Sequence, residues 1–163
     1  MSPVRRLVLA LTAVLLVAST ACSKESFEDR TAVVDVDGAS TTFTLDTCGL
    51  DDTTVFVVGR STGGATLQVV VGVEEEDHEA GIPDLTGISV TDADSDRVAF
   101  GSGAWSQRDE TSRPPGRIDE ARIRGARIQV SGAFETLEPS ATPSDTAGTL
   151  TPFSFDARCD EPS

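Results

Sequence analysis

The stretch TTVFVVGRSTGGATLQVVVGV, residues 53–73, decides the fold class. It opens with the apolar run Val55-Phe56-Val57-Val58, breaks at Ser61-Thr62-Gly63-Gly64, and resumes with Leu67, Val69, Val71 and Val73 alternating with polar or smaller neighbours. A period of two puts alternate side chains on one face of an extended chain, and paired glycines supply the backbone freedom of a tight reversal. These residues therefore read as a β-hairpin.

The same pattern extends in both directions. Upstream, Val34 and Val36 face one way and Asp35 and Asp37 the other, Asp37-Gly38 offers a turn, and Phe43 and Leu45 alternate with Thr42, Thr44 and Asp46. That is a second hairpin signal. Downstream, shorter strands are expected at residues 87–91 and 97–100, followed by a polar, proline-containing loop over 106–116. A turn is expected near residues 119–122. Ile123 then leads into Ile128, Val130, Gly132 and Phe134, which share one face of a strand accompanied by Arg122, Arg124 and Arg127. Residues 138–149 (EPSATPSDTAGT) lack apolar periodicity and read as a flexible loop. The last strand, 151–159, has Phe153, Phe155, Ala157 and Cys159 on one parity. No other run has helical period with caps, and nothing repeats. The expected fold is all-β, a predominantly antiparallel β sandwich or partly closed barrel, forming a single domain over residues 31–163.

The N-terminus has a different character. Arg5 and Arg6 precede the acid-free apolar run LVLALTAVLLVA (7–18), which ends at Ser19-Thr20-Ala21-Cys22. This is the layout of a secretory signal, and the run is too short for a helix that needs about twenty residues to span a bilayer. Ser19-Thr20-Ala21-Cys22 resembles the bacterial lipobox, whose cysteine receives a diacylglycerol, although Ser19 stands where leucine is commonest. The expectation is a signal peptide over 1–21, a lipidated Cys22 holding the chain to the outer face of the cell membrane, and a polar tether over 22–30. Two acyl chains suffice for stable anchoring. The two arginines leave the export route open between general secretion and a twin-arginine pathway.

Removing residues 1–21 takes Arg5 and Arg6 away and moves the formal charge from −14 to −16. Nucleic acid and anionic headgroups repel a chain this acidic, so no nucleic-acid partner is expected. Its basic residues are one lysine, Lys24, and twelve arginines, a bias typical of high-GC genomes such as those of actinobacteria. With Cys22 lipidated, Cys48 and Cys159 remain as an even pair in an oxidising compartment, and a disulfide between them is expected. Zinc and redox roles both lack the CxxC they would need.

Other candidate chemistry is weak. The run Glu74-Glu75-Glu76-Asp77-His78-Glu79 reads as a solvated loop, with divalent-cation binding as its functional alternative. Asp92, Asp94 and Asp96 have the opening spacing of a calcium loop, but Arg97 and Gly103 stand where glycine and glutamate are required. Ser102 does not sit in a G-x-S-x-G elbow, and His78 is the only histidine a triad could recruit. Trp105 is the single tryptophan and suits either packing or an aromatic contact. Arg117, Arg122, Arg124 and Arg127 form the one positive cluster, read as neutralising the acidic surface, with an anion or glycan site as the minority reading. No catalytic residue, metal or cofactor is expected.

The lipobox cysteine, the short polar tether, Val34-Asp35-Val36-Asp37-Gly38, Cys48, Ile128-Gln129-Val130-Ser131-Gly132 and the closing Phe153-Ser154-Phe155-Asp156-Ala157-Arg158-Cys159 together resemble the mycobacterial LpqH-like lipoprotein antigens. The acidic middle, residues 74–117, has no counterpart there. The resemblance implies a surface-exposed, immunologically visible lipoprotein with a small all-β domain, one disulfide and no established enzymatic activity. Two function classes follow: a non-enzymatic β domain contacting envelope or host, or a carrier of lipid or another small hydrophobic ligand between membrane and wall. A packed interior favours the first and a continuous apolar pocket the second.

Overall fold

A computed structural model describes residues 28–51, 53–74, 79–110, 112–137 and 148–159. The signal segment, Cys22, most of the tether, Glu75 to His78 and most of the 138–149 segment lie outside the described residues. The strands are β1 (Thr31–Val36), β2 (Ala39–Asp51), β3 (Thr54–Ser61), β4 (Thr66–Val73), β5 (Gly81–Thr91), β6 (Asp96–Phe100), β7 (Arg117–Arg124), β8 (Arg127–Leu137) and β9 (Leu150–Arg158). One short helix, α1 (Ser102–Ser106), follows β6.

All strand pairs are antiparallel, in the order β6-β5-β4-β3-β2-β1-β9-β8-β7. The end of β8 also pairs with β6, Val98 opposite Glu135 and Asp96 opposite Leu137. That pairing closes eight strands into a barrel and leaves β7 as an extra strand on β8. Closure removes the exposed edges that an open sheet would present. Of the two architectures the sequence allows, the molecule adopts the barrel, and the barrel is closed.

The alternation read from sequence carries the core. Val55, Val57, Leu67, Val69, Val71 and Val73 are all buried, as are Ala32, Val34, Phe43 and Leu45 from the first hairpin. Ile128, Val130, Phe134, Phe153, Phe155 and Ala157 complete the opposite wall. Phe134 and Phe153 stack with centroids 4.0 Å apart. An eight-stranded barrel is just wide enough to be filled by side chains or to hold one small ligand. Here Phe43, Phe134, Phe155, Leu67 and Ile88, each under 2% exposed, fill it. Burying a side chain of this size contributes about 1.5–3 kcal/mol.

Three local expectations are corrected. Residues 119–122 are extended within β7 rather than a turn, with the register shifting between Ile118 and Glu120. β5 starts at Gly81 instead of residue 87 and runs through Pro83. The helix α1, which no helical pattern announced, precedes the expected loop as a single turn whose Trp105 N–H donates to the Gly101 carbonyl at 3.0 Å.

Cys48 and Cys159 are joined as a disulfide, with Cα atoms 5.5 Å apart. Both pack against the core. Beside the bridge, Asp29 and Arg30 dock on the barrel. The Arg30 N–H donates to the Arg158 carbonyl and its carbonyl accepts from Leu45 N–H, both at 2.8 Å. Asp29 pairs with Arg158 at 2.7 Å.

Candidate functional site

The outward side chains of β1, β9, β8 and β7, with Ser40 of β2, line a cleft of about 740 Å³ on the outside of the barrel. Register explains its composition. Across the strands, Ser40, Asp35, Ser154, Ser131 and Glu120 stand in one row. Val33, Asp156, Gln129 and Arg122 form the next. Their inward neighbours Val34, Phe155 and Val130 are core residues, so the polar members of the alternation necessarily collect on this face.

The charges are largely matched in place. Asp156 accepts from Arg127 Nε at 2.8 Å and from Gln129 Nε2 at 2.9 Å. Arg122 pairs with Glu120 at 3.2 Å, and Ser40 donates to Asp35. The hydroxyls of Ser131 and Ser154, directly opposite each other, have no hydrogen-bond partner among the described residues. The cleft thus presents two hydroxyls between the Asp35 carboxylate, which Ser40 hydrogen-bonds, and the Arg122–Glu120 ion pair, a surface suited to hydrogen-bonding a polar partner.

The arginine cluster is only partly brought together. Arg122 lines the cleft and Arg127 reaches Asp156 beside it, whereas Arg117 turns to Asp119 at 2.7 Å. The Asp119 hydrogen bond raises the Arg117 pKa further above its already high value. Arg124 is exposed on β7.

The remaining candidates have local roles. Asp92 Oδ1 accepts the N–H groups of Asp94 at 2.9 Å and Ser95 at 2.8 Å, closing the turn between β5 and β6. These bonds, the Asp94 N–H foremost, hold its carboxyl below the usual range. No group of three His, Cys, Asp or Glu side chains is placed to hold a metal ion among the described residues. Ser102 donates straight to Asp84, lowering that carboxyl, with no imidazole between them. Of the acidic run, Glu74 and Glu79 are described, and the Glu79 carbonyl accepts from Ile123 N–H at 3.1 Å. Sequence reasoning missed the cleft residues Asp35, Glu120, Gln129, Ser131, Ser154 and Asp156 as a group, since they come from four strands and share only outward parity.

No protein-family model matches this chain, and no curated protein does.

Proposed function

We propose that this protein is a membrane-anchored surface lipoprotein, held by lipid on Cys22, whose β barrel makes non-catalytic contacts with the cell envelope or a host. The observation that carries the recognition half is the placement of space: the barrel interior is filled, while a cleft of about 740 Å³, lined by eight polar residues with Val33, Val130 and Phe155, opens on its outer face. A carrier needs an apolar cavity to shield its cargo, and Phe43, Phe134 and Phe155 occupy the room such a cargo would take. The filled interior therefore favours recognition at the surface over transport within. The anchoring half rests on the signal segment and its closing cysteine.

Detergent-phase partition of cells expressing the full chain tests the anchor. The wild-type protein is expected in the detergent phase. Cys22→Ser leaves Ser19-Thr20-Ala21 available to ordinary signal peptidase and should move the protein to the aqueous phase. A wild-type chain found in the aqueous phase would defeat the proposal.

A further inference from the structure

The large apolar side chains most exposed among the described residues are Phe56 at 41%, Leu150 at 39%, Val58 at 37% and Val70 at 36%. Three of these four are neighbours. Phe56 lies directly opposite Val70, and Val58 follows two residues along β3 on the same outer face. The row continues on both sides: Gly49 opposes Phe56, Gly87 opposes Val70, and Phe100 opposes Gly87. Gly87 leaves room for the Phe100 ring to lie over it, since a Cβ there would stand 2.4 Å from that ring. Trp105 packs on Phe100 with centroids 5.2 Å apart, and the Arg108 guanidinium sits 5.2 Å from the same ring.

This face differs from the rest of the molecule in charge. The sequence holds 27 acidic residues against 13 basic ones, yet no outward side chain of β3 or β4 is a carboxylate, and Arg60 is their one charge. The chain also leaves the barrel close by. Arg30 bonds the Leu45 and Asp46 carbonyls, and the next residue along β2, Thr47, lies opposite Val58. Adjacent strands are about 4.8 Å apart, so the exit and the apolar row are near neighbours.

We propose that this outer face of β3 and β4, edged by Phe100 and Trp105, is a second, protein-borne contact with the bilayer; the proposal rests on the reading that Cys22 carries lipid. Six residues from Cys22 to Glu28 reach at most roughly 20 Å, so an anchored barrel cannot leave the membrane surface. Three side chains about two-fifths exposed fall well short of the roughly 800 Å² per partner of a stable dimer, which disfavours a second copy as occupant. A small apolar face suffices against a bilayer, because the anchor already holds it at high effective concentration. The overall negative charge does not prevent the contact, since exposed charges more than about 8–10 Å away are largely screened at physiological salt. At the margin Arg60 is paired with Asp46 at 3.1 Å, and Arg108 beside the Phe100 ring is the cation that favours anionic headgroups.

The single tryptophan gives the readout. The full lipoprotein is reconstituted into phosphatidylcholine and phosphatidylglycerol vesicles with plain or brominated acyl chains, floated, and its Trp105 emission measured. The expected result is loss of emission in brominated vesicles, with the loss abolished by Phe56→Asp and weakened by Gln68→Glu, while both variants still float and keep their far-ultraviolet circular dichroism. Gln68 is exposed on β4, so its variant adds a carboxylate without removing an apolar contact. Floated protein with equal emission in both vesicle types overturns the face but leaves the anchor standing. Protein that fails to float overturns both. Quenching that survives both substitutions overturns the assignment to this face.

Discussion

Glu135 is 5% exposed near the end of β8, a position where an unpaired carboxylate would be costly. Burial pushes its carboxyl pKa up, but hydrogen bonds from Arg113, Gly148 and Gly116 outweigh that effect and hold it below the ordinary glutamate value of 4.5. Arg113 reaches both oxygens, at 3.1 and 2.8 Å, and the Gly116 and Gly148 N–H groups each bond at 3.1 Å. The side chain thereby ties the segments before β7 and β9 to the barrel. Glu135→Gln is expected to lower stability by about 1–3 kcal/mol, read as a shift of the urea midpoint. With the folded pKa depressed, this group's contribution is fully present above about pH 4.5 and is lost as pH falls through the folded value. Stability of the glutamine variant should therefore fall less steeply than wild type in acid; an unchanged acid limb would show that Glu135 is not the linked group. None of this is legible in the sequence, because Arg113 and Gly148 lie 22 and 13 residues away.

At the scale of elements, strands with one apolar face could be read directly, and strands whose outer face is heavily charged could not. Val34, Phe43, Leu67, Phe153 and Phe155 were expected to share apolar faces by parity, and all are buried; in the continuous run Val55-Phe56-Val57-Val58 no parity could be read, and Val55 and Val57 are the buried pair. β7 hides its pattern: in RIDEARIR the inward Ala121 and Ile123 stand among Arg122, Arg124, Asp119 and Glu120, and a register shift breaks the alternation. β5 hides its first half behind Pro83 and a second shift opposite Val70 and Gly72. Glycine at 132 is what lets β7 lie close, since a Cβ there would stand 2.1 Å from the Arg117 carbonyl oxygen and 3.1 Å from Ile118 Cα. Those are backbone atoms, so no side-chain rotation relieves the collision. Gly132→Ala should cost about 1–3 kcal/mol and increase hydrogen exchange along β7 above that along β3 and β4. Equal protection in wild type and variant would contradict this account of the strand.

For the whole molecule, closure decides both stability and which side chains face outward. β6 meets β8 across a long stretch of sequence, Arg97 opposite Thr136, which is why periodicity left sandwich and barrel open. With the interior filled by core side chains, the cleft lies outside the barrel, on the outer rows of β2, β1, β9, β8 and β7. The Cys48–Cys159 bridge was legible from cysteine counting and inward parity; it spans 111 residues and fastens β9 to β2 beside Arg30. A loop of that length gives a chain-entropy contribution of about 4–5 kcal/mol. Intact mass spectrometry of the protein from the membrane fraction, with thiol labelling before and after reduction, tests the proposed lipid anchor and the disulfide together. The expected result is a chain beginning at a diacylated Cys22, with no label before reduction and two labels after it. An unlipidated chain, or thiols that label without reduction, would contradict it.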